Sequence, residues 1–145
     1  MCKTLKLKVR FNAPPATIYG LLADSKKRTA VTGRKAALSS KVGGAFSADA
    51  GKVRGINVDL VPGKRIVQAW RRDDFPEGVY SMAAFVLTPT PNGGTELVLT
   101  HRGVPKALLD STEADWRNHY WAGIKAYLSH PGCREARPAD RTARA

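Results

Sequence analysis

Side chains able to do chemistry are few and scattered in this chain. Three histidines and two cysteines occur in 145 residues. Cys2 and Cys133 sit near opposite ends, in neither a CxxC pair nor a Cys/His array with zinc spacing, so two reduced thiols are expected, with no metal and no cofactor. No GxSxG elbow, HExxH pair, phosphate-binding glycine loop or dinucleotide glycine fingerprint is present. What remains is Ser81 and His101, on two extended stretches that are expected to share a sheet, where the two side chains could meet. A hydroxyl beside an imidazole is the start of a nucleophile–base pair, but no orienting carboxylate can be identified in the sequence. No catalytic residue is assigned, and binding rather than turnover is the leading expectation.

Polar residues on apolar faces are the other signal. By the two-residue period of a strand, His101 shares a face with Leu97 and Leu99. It reads either as a polar anchor or acid/base inside a cavity, or as a histidine hydrogen-bonded at the rim. Gln68 shares a face with Ile66 and Trp70; it is either an amide that orients a ligand or one satisfied by backbone. Trp70, Phe85, Trp116 and Tyr120 fit either a pocket lining or plain core. Gln68, Trp70, Ser81, Phe85, His101, Trp116 and Tyr120 are therefore the candidate ligand-binding set. His119 is expected to face solvent. Gly123, inside a helical pattern, points to a close approach.

These residues need elements to position them. Residues 111–128 carry Trp116, Tyr120, Trp121, Ile124, Tyr127 and Leu128 at three- and four-residue steps, with Ser111 or Thr112 as N-cap and acid in the first turn. This predicts a long helix with a broad aromatic stripe. Residues 4–11 alternate Leu5, Leu7, Val9 and Phe11 against Lys6, Lys8 and Arg10, a strand with one wet face. Two short helices are predicted at 15–23 and 26–31, the first opening at proline. Strands follow at 45–48, 52–61, 65–71, 79–88 and 95–102, joined by glycine-rich turns; in 52–61, Ile56, Val58 and Leu60 share one face. The order predicts an α+β domain: a curved, antiparallel, six-stranded sheet wrapped around the long helix, with the two short helices between its first two strands.

Composition bounds the function. The formal net charge is +12, with 43% hydrophobic residues, an ordinary globular balance carrying an excess of cations that favours acidic partners. Lys26, Lys27, Arg28, Arg34 and Lys35 form the candidate basic surface, read as a solvated face or an anion-docking patch. Nucleic acid is not expected, because no helix-turn-helix, RNP-type or zinc-finger pattern accompanies the charge. No run is long enough for a membrane span and the start lacks a signal-peptide block, so a cytoplasmic protein is expected, as a monomer or homodimer. Residues 1–130 form the expected domain and 131–145 a flexible basic tail.

Several strings resemble the family of activators of heat-shock protein 90 ATPase homologues, within the START-like (SRPBCC) helix-grip superfamily. They are Lys41-Val42-Gly43-Gly44-Ala45-Phe46, Asp59-Leu60-Val61-Pro62-Gly63-Lys64-Arg65-Ile66-Val67, Trp70-Arg71, Gly94-Thr95-Glu96-Leu97, His101-Arg102-Gly103-Val104-Pro105 and the stretch from Trp116 to Tyr127. The resemblance implies the helix-grip fold and an apolar cavity between sheet and long helix holding a small hydrophobic or aromatic molecule. It also implies two alternatives: a chaperone-associated or stress-response protein acting through a basic surface, or a cyclase-like enzyme using the same cavity. Many single-domain relatives carry a bulky aromatic pair on the second helix, where this chain has Thr29, Ala30, Val31 and Thr32. A wider cavity mouth is the expected consequence.

Overall fold

The first strand, β1 (Cys2–Phe11), pairs not with its neighbour in sequence but with the last strand, β7 (Thr95–Pro105), antiparallel from Cys2 opposite Pro105 to Phe11 opposite Thr95. In this computed structural model, which describes residues 2–129, the sheet runs β1-β7-β6-β5-β4-β3-β2. The basic tail expected at 131–145 and Cys133 lie outside the described residues. Between β1 and β7 come α1 (Pro15–Ala23), α2 (Ser25–Thr32), β2 (Ala37–Leu38), β3 (Ala45–Ala48), β4 (Val53–Val61), β5 (Arg65–Arg72) and β6 (Ser81–Pro89). The sheet has seven strands rather than six. The added one, β2, is two residues paired with Ser47 and Phe46, too short to leave a periodic signature.

Local chemistry sets the boundaries. Pro14 and Pro15 open α1 with the φ a helix needs and no amide to orphan. Asp24 ends α1 through its N–H to the Gly20 carbonyl and caps α2 by accepting from the Lys27 N–H at 3.0 Å. The long helix starts two residues before the expected cap, at Leu109 after a 3₁₀ turn. Ser111 and Thr112 are therefore inside the helix, and the Ser111 hydroxyl donates to the Leu108 carbonyl while accepting from Arg72.

The helix is not α throughout. Leu109–Asp115 and Ala122–Leu128 are α-helical, and Trp116–Trp121 between them is π-helical. A π turn bonds each N–H five residues back, as Ala122 does to Arg117. Trp116 and Trp121 thus become neighbours one turn apart and stack at 5.6 Å with 28° between planes. An unbroken α-helix would set Trp116 beside His119 and Tyr120 and turn Trp121 away from it.

α1, α2 and the long helix cover one face of the sheet, and the core lies between them. Leu5, Leu7, Phe46, Ile66, Trp70, Phe85, Leu97 and Leu99 point into it and are buried, each large side chain adding about 1.5–3 kcal/mol. In β4 the expected single apolar face is wrong. A bulge between Asn57 and Asp59 breaks the alternation, so Leu60 lies opposite buried Ile66 while Ile56 and Val58 are about half exposed on the outer face. Asn57 is buried instead because its amide donates to the Ser39 and Lys41 carbonyls. Among the described residues no helix is long and apolar enough to cross a membrane.

Candidate functional site

Beneath the π-helical segment, β5, β6 and β7 place Trp70, Ser81 and His101 on the inner face, as the two-residue period requires. Ser81 and His101 do meet, with Oγ and Nε2 2.6 Å apart. The other ring nitrogen decides what the pair can do. Trp116 Nε1–H, which can only donate, gives its hydrogen to His101 Nδ1 at 3.1 Å. His101 Nδ1 is therefore unprotonated, and the neutral ring carries its proton on Nε2. Nε2–H donates to Ser81 Oγ, and the Ser81 hydroxyl donates in turn to the Trp70 carbonyl at 3.1 Å.

The polar atoms thus form a closed line: Trp116, His101, Ser81, Trp70. In a nucleophile–base pair the imidazole must accept the hydroxyl proton, and here it donates. Burial is complete, with His101 at 0% exposure. Burial first, and the nearby Arg72 cation second, push the His101 pKa from its ordinary 6.5 down to about 3. Trp70 and Trp116 hold the ring edge-on at 4.7 and 5.9 Å. This is a neutral, fully bonded histidine of the core.

The other candidate lining residues are equally enclosed. Trp116 packs on Trp70, Phe85 and Tyr120 with ring centroids 5.7, 5.4 and 4.8 Å away. Gln68 donates to Asn57 Oδ1 at 3.2 Å, so its partner is neither a ligand nor backbone. All seven expected cavity residues are brought together, yet they retain 0–6% exposure. A cavity able to take an apolar ligand would leave its walls accessible to a water-sized sphere, and these walls are not. Among the described residues, hollows that open to solvent lie around Arg10 and along the long helix, with Phe11, Asn12 and Lys125 among their walls. The expected wide mouth at α2 is also closed: a Cβ on Gly123 would come within 2.7 Å of the Val31 carbonyl oxygen, so helix and α2 touch directly.

The basic set divides. Lys26, Lys27, Arg34 and Lys35 are exposed, but Arg28 is a correction, being 3% exposed. Its guanidinium donates to the Leu22 carbonyl at 2.9 Å and lies over the Tyr120 ring at 4.7 Å, so it joins α1, α2 and the long helix. Arg34 is tied to Asp49. His119 is half-buried rather than solvent-facing.

Two features escape sequence reading. Arg72 is buried at the end of β5, where its fork holds Asp74 at 2.7 and 3.0 Å, Asp115 at 2.8 Å and Ser111 at 2.8 Å. Burial opposes its charge, and the two carboxylates more than offset this, raising its pKa. It pins sheet to helix across 43 residues of chain. The second is the π turn itself, which sets Trp121, already part of the expected stripe, against Phe11 at 6.2 Å. Only the π turn places it beside Trp116, and no local sequence signal marks such a turn.

Comparison with known proteins fits this architecture. The family described as Activator of Hsp90 ATPase homolog 1-like protein matches residues 12–129. The chain is 31% identical over 128 residues to the Activator of 90 kDa heat shock protein ATPase homolog of Dictyostelium discoideum, covering 88% of this chain and 33% of that protein. It is 35% identical over 124 residues to the Activator of 90 kDa heat shock protein ATPase homolog 1 of Homo sapiens, covering 86% and 36%. It spans about a third of the length of these relatives. A solved HSP90 activator from Plasmodium falciparum superposes with a TM-score of 0.82 at 23% identity, covering 87% of this chain and 96% of that one, which shows the shared fold. The chain belongs to the Activator of Hsp90 ATPase homolog 1-like protein family.

Proposed function

We propose that this domain is a chaperone-associated interaction module that binds a 90 kDa heat shock protein and stimulates its ATPase. The observation that carries the reading is the filled interior: the seven inner residues are 0–6% exposed, and their one Ser–His pair is oriented as donor and not as base. An interior closed to this degree favours recognition at the surface. The relatives that match most of this chain are named for activation of that chaperone's ATPase. Addition of the purified chain to a purified 90 kDa heat shock protein is expected to raise the rate of ATP hydrolysis. An unchanged rate, with no complex detected by calorimetry, contradicts the proposal.

A second reading keeps the small hydrophobic or aromatic ligand. Trp70 Nε1, Trp121 Nε1, Thr112 Oγ1 and the Tyr120 hydroxyl are buried without a protein partner, and buried polar atoms ordinarily have one. Such a ligand requires the long helix to swing away from the sheet. Thermal-shift screening against lipids and aromatic metabolites tests it, with a hit that Tyr120→Ala weakens as support.

A further inference from the structure

The outer face of the sheet is built unlike a solvated face. An antiparallel sheet with one wet side alternates apolar-in with polar-out, whereas a strand buried on both sides reads as a continuous apolar run. β6 is of the second kind: Met82-Ala83-Ala84-Phe85-Val86-Leu87. Yet the helices cover only its inner face, and among the described residues Met82 and Val86 remain 41% and 43% exposed. The strand register extends this into a patch. Met82 lies opposite Ala69, and Ala69 opposite Ile56; Ala84 lies opposite Val67, and Val86 opposite Val98. With Ile56 at 48% and Val58 at 43%, the centre of the outer face is aliphatic across four strands. Tyr80, 52% exposed just ahead of β6, stands at its end with its ring near the Arg71 guanidinium.

The rim is cationic. Lys6, Lys8 and Arg10 project from β1 on the face opposite Leu5 and Leu7, Arg102 lies opposite Met82, and Arg54 and Arg65 flank the patch on β4 and β5. Carboxylates there are few: Glu96 is shared by Lys8 at 3.9 Å and Arg10 at 3.6 Å, and Asp59 is held by Arg65 at 2.8 Å. Such exposed pairs are weak and exchange readily for a partner's acids.

We propose that this outer face is where the domain docks its protein partner, and that the partner's matching surface is an aliphatic patch bordered by Asp and Glu. The assignment rests on the functional reading above, so that partner is a 90 kDa heat shock protein. Charge complementarity makes the choice among occupants. A second copy would bring two cationic rims together, which costs affinity. A bilayer suits amphipathic elements that sink about 5–10 Å into the headgroup boundary, whereas the exposed aliphatics Ile56, Val58, Met82 and Val86 lie on strands of the sheet.

Calorimetric titration of the full chain into a purified 90 kDa heat shock protein tests the face. Ile56→Glu and Met82→Glu are each expected to weaken binding about tenfold or more, and Lys8→Glu to weaken it about threefold, with the difference fading at high salt. Lys26→Glu with Lys27→Glu, on α2, should stay within about twofold of wild type. Met82→Ser serves where the charged variants fail to fold. Folded Ile56 and Met82 variants that bind like wild type overturn the face and leave the functional reading standing. A wild-type chain that ignores the chaperone overturns both, whether it instead binds phosphatidylserine-containing vesicles or forms a dimer in sedimentation.

Discussion

Ser81 and Met82 are adjacent in one strand, and they show how differently the two faces of this sheet are built. On the inner face stand the residues that look chemical, Ser81, His101 and Gln68, and each is bonded within the protein. On the outer face stand plain aliphatics, Met82, Val86 and Ile56, with no element over them among the described residues. The difference teaches that reactivity is a matter of unspent bonding capacity. A buried histidine whose nitrogens are both engaged has none, while the half-exposed Met82, Val86 and Ile56 keep apolar surface free for a partner.

The inner face is broken most severely by Trp116→Ala. It removes a ring that touches Trp70, Phe85, Tyr120 and Trp121 and leaves His101 Nδ1 without its donor. A loss of about 3–5 kcal/mol is expected in urea denaturation. Acid acts on the same line of bonds more gradually. The folded His101 pKa of about 3 lies below the ordinary 6.5, so the unfolded chain takes up a proton that the native state refuses. This contribution is complete above pH 6.5 and drains away as pH falls from 6.5 toward 3, by roughly 1.4 kcal/mol per pH unit. Denaturation between pH 6 and 4 should show close to that slope in the wild type and a flatter one in His101→Gln. The outer face is the smallest case for stability: Met82→Ser should shift it by no more than about 0.5 kcal/mol, while weakening chaperone binding.

Much of the fold was legible because it is written in periods. The alternation in β1, the glycine turns of the meander and the aromatic stripe of the long helix each follow from local chemistry. The bulge at Val58 and the π turn at Trp116 were not legible, since each inserts a residue into a regular pattern through tertiary contacts: Asn57 with the Ser39 and Lys41 carbonyls, Trp116 with His101. In sequence Arg28 looks like surface because its neighbours are cations; only the Leu22 carbonyl and Tyr120 ring, brought together by three helices, explain its burial. The two-residue period puts the inner candidates on the covered side of the sheet, but sequence cannot show that the histidine donates to the serine. That direction is fixed by a tryptophan 15 residues away.

The most direct measurement is the stimulation of a purified 90 kDa heat shock protein's ATP hydrolysis by two variants one residue apart, Ser81→Ala and Met82→Glu, each checked for folding. The account predicts that Ser81→Ala stimulates like the wild type, apart from its lower stability, and that Met82→Glu loses most of the effect. Full stimulation by Met82→Glu together with loss in a folded Ser81→Ala would contradict it.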